Sequence, residues 1–142
     1  QPWKAQYWLR EVMNRLYSPH PDGYCGDEDN GQTSAWYVFT AMGFYPVAPA
    51  TDEYVIGAPL FKKITVSLEN GKTIEIDAPE NNAENRYVRE IQMNGKKYDK
   101  NYFNFSELMN GAKISFEMDN QPNKNRGTGE AAFPYSFSNE YN

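Results

Sequence analysis

The stretch Gly26-Asp27-Glu28-Asp29-Asn30-Gly31-Gln32 sets three carboxylates in a row between two glycines. Directly behind it runs TSAWYVFTAMG, Thr33 to Gly43, an aromatic segment that reads as a helix. Carboxylates this close oppose one another's ionisation, and burial opposes it further. A carboxyl group in that setting is suited to moving protons. In an extended stretch Asp27 and Asp29, two residues apart, project to one side while Glu28 points away. The same acids also suit a plainer task, because Asp and Glu favour the N-terminal end of a helix.

Other chemistries fail on spacing. A calcium loop of the EF-hand type with Gly31 at its sixth position puts Gly26 at the first and Tyr37 at the twelfth, and neither supplies the required side-chain ligand. No Gly-Lys-Ser/Thr phosphate loop and no G-x-S-x-G elbow occurs. His20, the only histidine, sits between two prolines and has no second His or Cys with which to hold zinc. Cys25 is the only cysteine, so no internal disulfide forms, and it reads as a small packing residue. What remains is carboxylate chemistry. Hydrolysis of a glycosidic bond asks for two carboxyl groups, one acid and one base or nucleophile.

The elements that position these acids follow from periodicity. Trp3, Tyr7, Leu9, Val12, Met13, Leu16 and Tyr17 recur at three- and four-residue steps and predict a first helix with one apolar stripe, Lys4, Arg10 and Arg15 lying among its polar positions. Ser18 to Gly23, SPHPDG, stops it. A second helix runs from about Gln32 to Met42, with Gly43 as C-terminal cap and Pro46 preventing continuation. Trp36, Tyr37, Val38, Phe39 and Met42 make it apolar almost all round, as in a helix buried inside a larger assembly. From Glu53 the period becomes two. Ile64, Val66 and Leu68 form one strand, and Ile74 and Ile76 another. A three-residue loop with Gly71 left-handed pairs Val66 with Ile74 and keeps both apolar sets on one face. Asn94-Gly95 as a two-residue turn pairs Met93 with Lys96 and Ile91 with Tyr98. Near Asn110-Gly111, either a two-residue turn matches Phe105 with Phe116, or Ser106 to Met109 forms a helical turn. Asn81 to Asn85 reads as a polar loop, and the chain from Asn120 onward as irregular or a trailing strand. The fold class is α+β: a helical hairpin over residues 1–46 that carries the acids, then an antiparallel β-sandwich-like module over residues 47–142.

The chain has 142 residues, a net charge of −5 and a pI near 4.9, which argues against nucleic acid or an anionic membrane as partner. No apolar run approaches the roughly 18 residues of a membrane span. The chain opens on Gln1 and leaves its second helix bare on one side, so it reads as a piece of something longer. Aromatic residues reach 15%, enough to serve both core packing and flat faces for sugar rings.

Three stretches carry a family resemblance: QPWKAQYWLREVM, GDEDNGQTSAWYVFTAMGFYPVAP and YVIGAPLFKKITVSLENGKTIEI, with PNKNRGTG near the end. Together they resemble the C-terminal end of glycoside hydrolase family 92, the calcium-dependent exo-acting α-mannosidases. The resemblance implies an (α/α)6 barrel, preceded by a β-sandwich domain, of which this hairpin forms the last helices. It implies inversion at the anomeric carbon and release of terminal mannose, α-1,2-linked above all, from mannose-containing glycans such as N-glycans. By resemblance Asp29 is the general base and Asp27 shares its water or tunes it, with the reverse assignment left open. Family members often carry Asn where Asp27 stands. Glu28, Gln32 and Trp36 bind substrate or shape the site. The glutamic acid that protonates the leaving oxygen, and the His-Glu segment near the calcium, have no counterpart here. The calcium that grips mannose O2 and O3 is expected on ligands outside this chain, with no metal ligand among these residues. The parent is therefore expected in the periplasm or outside the cell. This piece alone is expected to be inactive, and prone to self-association through its bare face. Two other classes stay open: a carbohydrate-binding module using exposed tyrosines, against which Tyr87, Tyr98 and Phe105 fall where a core would use them, and a purely structural interaction module.

Overall fold

Helix α1 spans Pro2–Leu16, with Pro2 in the first turn, where its missing N–H costs nothing. The computed structural model describes residues 1–140. Of the apolar stripe only Met13 is fully buried, with Trp3, Tyr7, Leu9 and Val12 half-buried, and two polar residues are buried beside it. The buried residues of α1 are Gln6, Arg10 and Met13, while Trp8 and Leu16 are 62% and 50% exposed. Hydrogen bonding decides this. Gln6 Oε1 accepts from the Val88 amide at 3.0 Å. Arg10 Nη2 donates to Pro59 O at 2.7 Å and Asn81 Oδ1 at 2.9 Å, and Nη1 to Asn82 O at 3.2 Å. Arg10, expected on the polar side, is thus a buried cation that fastens the helix to the β part. Burial holds its pKa below the usual value, and the nearby Arg86 adds to the effect. The polar loop at Asn81 is equally structural: Asn81 is buried, and its Nδ2 donates to Leu60 O at 2.8 Å.

Helix α2 spans Gln32–Met42. Gly43 ends it at φ 102°, its N–H donating to Phe39 O and Thr40 O, as the cap reading expects. A Cβ there would stand 3.0 Å from Pro59 N, so close approach as well as conformation calls for glycine.

The strands are β1 (Phe44–Tyr45), β2 (Glu53–Ile56), β3 (Lys63–Ser67), β4 (Thr73–Asp77), β5 (Tyr87–Met93), β6 (Lys96–Lys97), β7 (Tyr102–Asn104) and β8 (Ala112–Asp119). A short helix α3 (Phe105–Leu108) precedes β8. One sheet has the order β1-β2-β7 and the other β3-β4-β8-β5-β6. All pairs are antiparallel except β4–β8, which is parallel.

Two hairpin registers follow the turn arguments. Val66 pairs with Ile74, with Gly71 at φ 80°. Met93 pairs with Lys96, and the Tyr98 amide donates to Ile91 O at 2.8 Å across a turn with Asn94 at φ 53° and Gly95 at φ 75°. At Asn110-Gly111 the helical turn prevails over the hairpin. Strand β7 pairs with β2, so Phe105 does not oppose Phe116; Phe105 is 44% exposed, and Phe103 meets Phe116 edge-on at 6.5 Å. Asp52 caps α3, accepting from Ser106 N at 3.0 Å and Ser106 Oγ at 2.7 Å.

The two sheets face each other over one core. Phe44, Ile56 and Phe103 come from the first, Ile76, Ile91, Ile114 and Phe116 from the second, and Phe39 and Met42 of α2 pack against them. The α+β class with a sandwich-like β module stands. Tyr98 packs against this core and ties its hydroxyl to Tyr102 O at 2.8 Å. Residues 120–140 are irregular with two 3-10 turns, and residues 141 and 142 lie outside the described residues. Buried Arg126 holds this stretch, donating to Asn101 Oδ1 at 3.1 Å and Lys100 O at 2.8 Å.

Candidate active site

The acidic loop enters α2 through three successive left-handed residues, Asp29 at φ 52°, Asn30 at φ 59° and Gly31 at φ 92°. Asp and Asn are the side-chain-bearing residues that tolerate this conformation best. The loop is therefore not the extended stretch in which residues alternate sides. Its geometry is set by hydrogen bonds to the start of the helix. Thr33 N donates to Glu28 O at 3.2 Å, Gln32 N to Asp29 O at 3.3 Å, and Thr33 Oγ1 to Asp27 O at 2.8 Å.

Glu28 turns inward. Its Oε1 accepts from Ser34 N at 3.2 Å and from the Ser34 hydroxyl, while Oε2 is buried without a hydrogen-bond partner among the described residues. The helix N-cap position is Gly31, which has no side chain, so Glu28 supplies the capping oxygen from three residues upstream. The plainer reading of the acids thus holds for one of the three. Replacing Glu28 by Ala should lower stability by about 1 kcal/mol, the usual worth of a cap, and Glu28→Gln should restore most of it. Chemical denaturation reads this directly, and a change under about 0.3 kcal/mol for Ala would show that the cap contributes nothing.

Asp27 and Asp29 are exposed, as is Gln32, at the same end of α2. Trp36 lies farther along the helix and is half-buried. Its ring stacks on Tyr17 at 5.5 Å and 17°, and it lines an apolar cavity of about 270 Å³ between the two helices and strands β1 and β2, with Trp8, Leu9, Thr40, Tyr45 and Val55. The structure therefore gathers Asp27, Glu28, Asp29 and Gln32, and sets Trp36 to one side.

Sequence reasoning missed Ser34, which holds Glu28, and the aromatic cluster beside the loop. Tyr17 contacts Tyr37 at 4.9 Å and Tyr24 at 6.1 Å as well as Trp36. The phenol of Tyr17 is pushed up to about 12, chiefly by burial, then by Cys25 and Glu28. Among the described residues no three His, Cys, Asp or Glu side chains converge to hold a metal ion.

Comparison with known proteins identifies the family of the chain. Residues 1–120 match the model of the glycosyl hydrolase family 92 catalytic domain. A family 92 inverting mannosidase from Bacteroides thetaiotaomicron is 54% identical, with a TM-score of 0.90 over 97% of this chain and 19% of its own. An α-mannosidase of the same family and organism, solved with mannoimidazole, is 45% identical, with a TM-score of 0.91 over 96% of this chain and 18% of its own. A protein of Arthroderma benhamiae named as an uncharacterized secreted glycosidase is 27% identical over 81% of this chain and 15% of its own length. The chain thus spans about a fifth of the solved relatives or less. With the family model covering most of its length, the chain belongs to glycosyl hydrolase family 92.

Proposed function

We propose that the parent protein is an exo-acting, inverting α-mannosidase that removes terminal α-linked mannose, α-1,2-linked by preference, from glycans. The observation that carries this is the sorting of the three acids in a chain of this family: Glu28 is folded onto α2, while Asp27 and Asp29 stand free to meet a ligand.

Asp29 is the general base in this reading. It takes a proton from water as that water attacks C1, and Asp27 shares the water or tunes its neighbour. Inversion needs the acid roughly 6.5–9.5 Å from the base, so that water fits between them. Asp27 and Asp29 both belong to the base side, and the proton for the leaving oxygen comes from a glutamic acid outside these residues. Gln32, exposed at the same end of α2, is placed to hydrogen-bond a sugar hydroxyl. Trp36 shapes the site from behind, through its stack on Tyr17.

Among the described residues no three His, Cys, Asp or Glu side chains converge to hold the calcium implied by the family. We place it on other segments of the parent. Residues 1–46 would close an (α/α)6 barrel and residues 47–142 form the β module against it. The exposed Trp8, Leu16 and Val38 then meet the remaining barrel segments, and without those segments they favour self-association. Among the described residues no helix is long and apolar enough to cross a membrane. On the family resemblance, and on its likeness to a protein named as a secreted glycosidase, we place the parent in the periplasm or outside the cell.

The test is to follow hydrolysis of methyl α-1,2-mannobioside, whose blocked reducing end leaves as methyl α-mannoside, so that the only free mannose is the one cleaved at C1, by the parent with proton NMR. The β anomer of mannose should appear first and mutarotate later. The α anomer appearing first would sink inversion, and no mannose from any α-mannoside would sink the whole reading.

A further inference from the structure

The loop joining the two helices is held at its ends and nearly free in its middle. Ser18 N donates to Gly23 O at 3.0 Å and Gly23 N to His20 O at 2.9 Å, which close the first half on itself. Thr33 and Ser34 hold the second half through Asp27 and Glu28. Between them, Tyr24, Cys25 and Gly26 make no backbone hydrogen bond among the described residues. Gly26, at φ 139°, has nothing within 4 Å of where a Cβ would stand, so this middle has room to swing.

One side chain reaches it. Tyr17, the residue that follows α1, meets Tyr24 edge-on at 6.1 Å and 73°. The same ring stacks on Trp36 and tilts onto Tyr37, so it spans the end of α1, the middle of the loop and α2. With its pKa pushed up to about 12 the phenol stays neutral, and Tyr17 acts through its ring contacts rather than as a base. We infer that Tyr17 is a positioning residue for the proposed reaction: it pins residues 24–26 against α2, and so fixes where Asp27 and Asp29 stand relative to the sugar. This rests on the reading of Asp29 as general base.

The experiment measures kcat and KM of the full-length parent on α-1,2-mannobiose. Tyr17→Leu should lower kcat about tenfold to a hundredfold with KM within about twofold, because a reacting group displaced by about 1 Å loses rate on that scale while sugar binding persists. Tyr17→Phe, which keeps every ring contact, should recover most of the loss. On top of Asp29→Ala, Tyr17→Leu should cost nothing further, because it acts through that carboxylate. Undiminished kcat in Tyr17→Leu, a loss confined to KM, or full additivity in the double variant would overturn the inference. Should Tyr17→Leu fail to fold, Tyr24→Ala removes the loop's side of the contact and carries the same expectation, and unchanged kcat there is equally decisive. If Asp29→Ala alone leaves activity intact, the base assignment is what fails, and the double variant is judged against Asp27→Ala instead.

Discussion

Replacing Asp29 by Ala in the full-length parent should slow mannose release by at least about a hundredfold, within the range that general-base catalysis supplies. Loss of the carboxylate itself should barely move the unfolding transition. Asp29 is exposed, and it supports the start of α2 through its backbone carbonyl, which accepts from Gln32 N. The carboxylate is therefore available for chemistry and dispensable for the fold. One complication is conformational. Asp29 sits at φ 52°, where Ala costs roughly 1 kcal/mol more than a short polar side chain. Asp29→Asn removes the charge and keeps the tolerance, so it should match the rate loss without that cost. Running the assay with and without a chelator reads calcium dependence separately from base catalysis. Near-normal activity in both variants would move the assignment to Asp27, and would leave Asp29 as a turn residue at the mouth of the helix.

The second large effect lies far from the acids. Arg10→Ala should destabilise the protein by about 3 kcal/mol, given that hydrogen bonds to a charged donor are worth roughly 1.5–3 kcal/mol each and that part of this is returned by no longer burying a cation. Arg10 is 4% exposed and has no carboxylate partner in its hydrogen bonds; it donates to two backbone carbonyls and one amide oxygen. Removing it leaves Pro59 O, Asn82 O and Asn81 Oδ1 facing a cavity. Arg10→Met, which fills the space with an apolar chain, separates the terms: it should recover the cavity cost but not the orphaned acceptors, and should remain about 2 kcal/mol below wild type. For a domain of this size, 3 kcal/mol corresponds to a fall in Tm of roughly 10 °C. A shift within about 2 °C for Arg10→Ala would mean that water replaces the guanidinium at little cost.

What could be read from the sequence and what could not divides along sequence separation. The end of α2 at Gly43 and the registers at Asn70-Gly71 and Asn94-Gly95 were legible because turn chemistry and side-chain alternation act over a few residues. The buried face of α1 was not. Its hydrogen-bond partners lie 49 to 82 residues away, and no helical period in PWKAQYWLREVMNRL announces that Gln6 and Arg10 outrank Trp8. The parallel β4–β8 pair was illegible for a similar reason, since it depends on a connection that runs through four other elements. In the site, the density of carboxylates and the long motif singled out Asp27 to Gln32. The alternation argument for Asp27 and Asp29 failed where Asp29 and Asn30 turned left-handed. That turn sends Glu28 to Ser34, six residues on, and nothing in the spacing of an irregular loop identifies such a partner.

The hydrogen bond between Gln6 and Val88 spans 82 residues. At about 5–20 residues per second of synthesis, roughly 4–16 seconds separate the emergence of α1 from that of the strand that receives it. Through that interval Gln6 lacks the partner it has in the folded protein. The contact that fastens Gln6 is thus made only once that strand has emerged, and the loop that carries the acids is joined to a helix secured long after it is made.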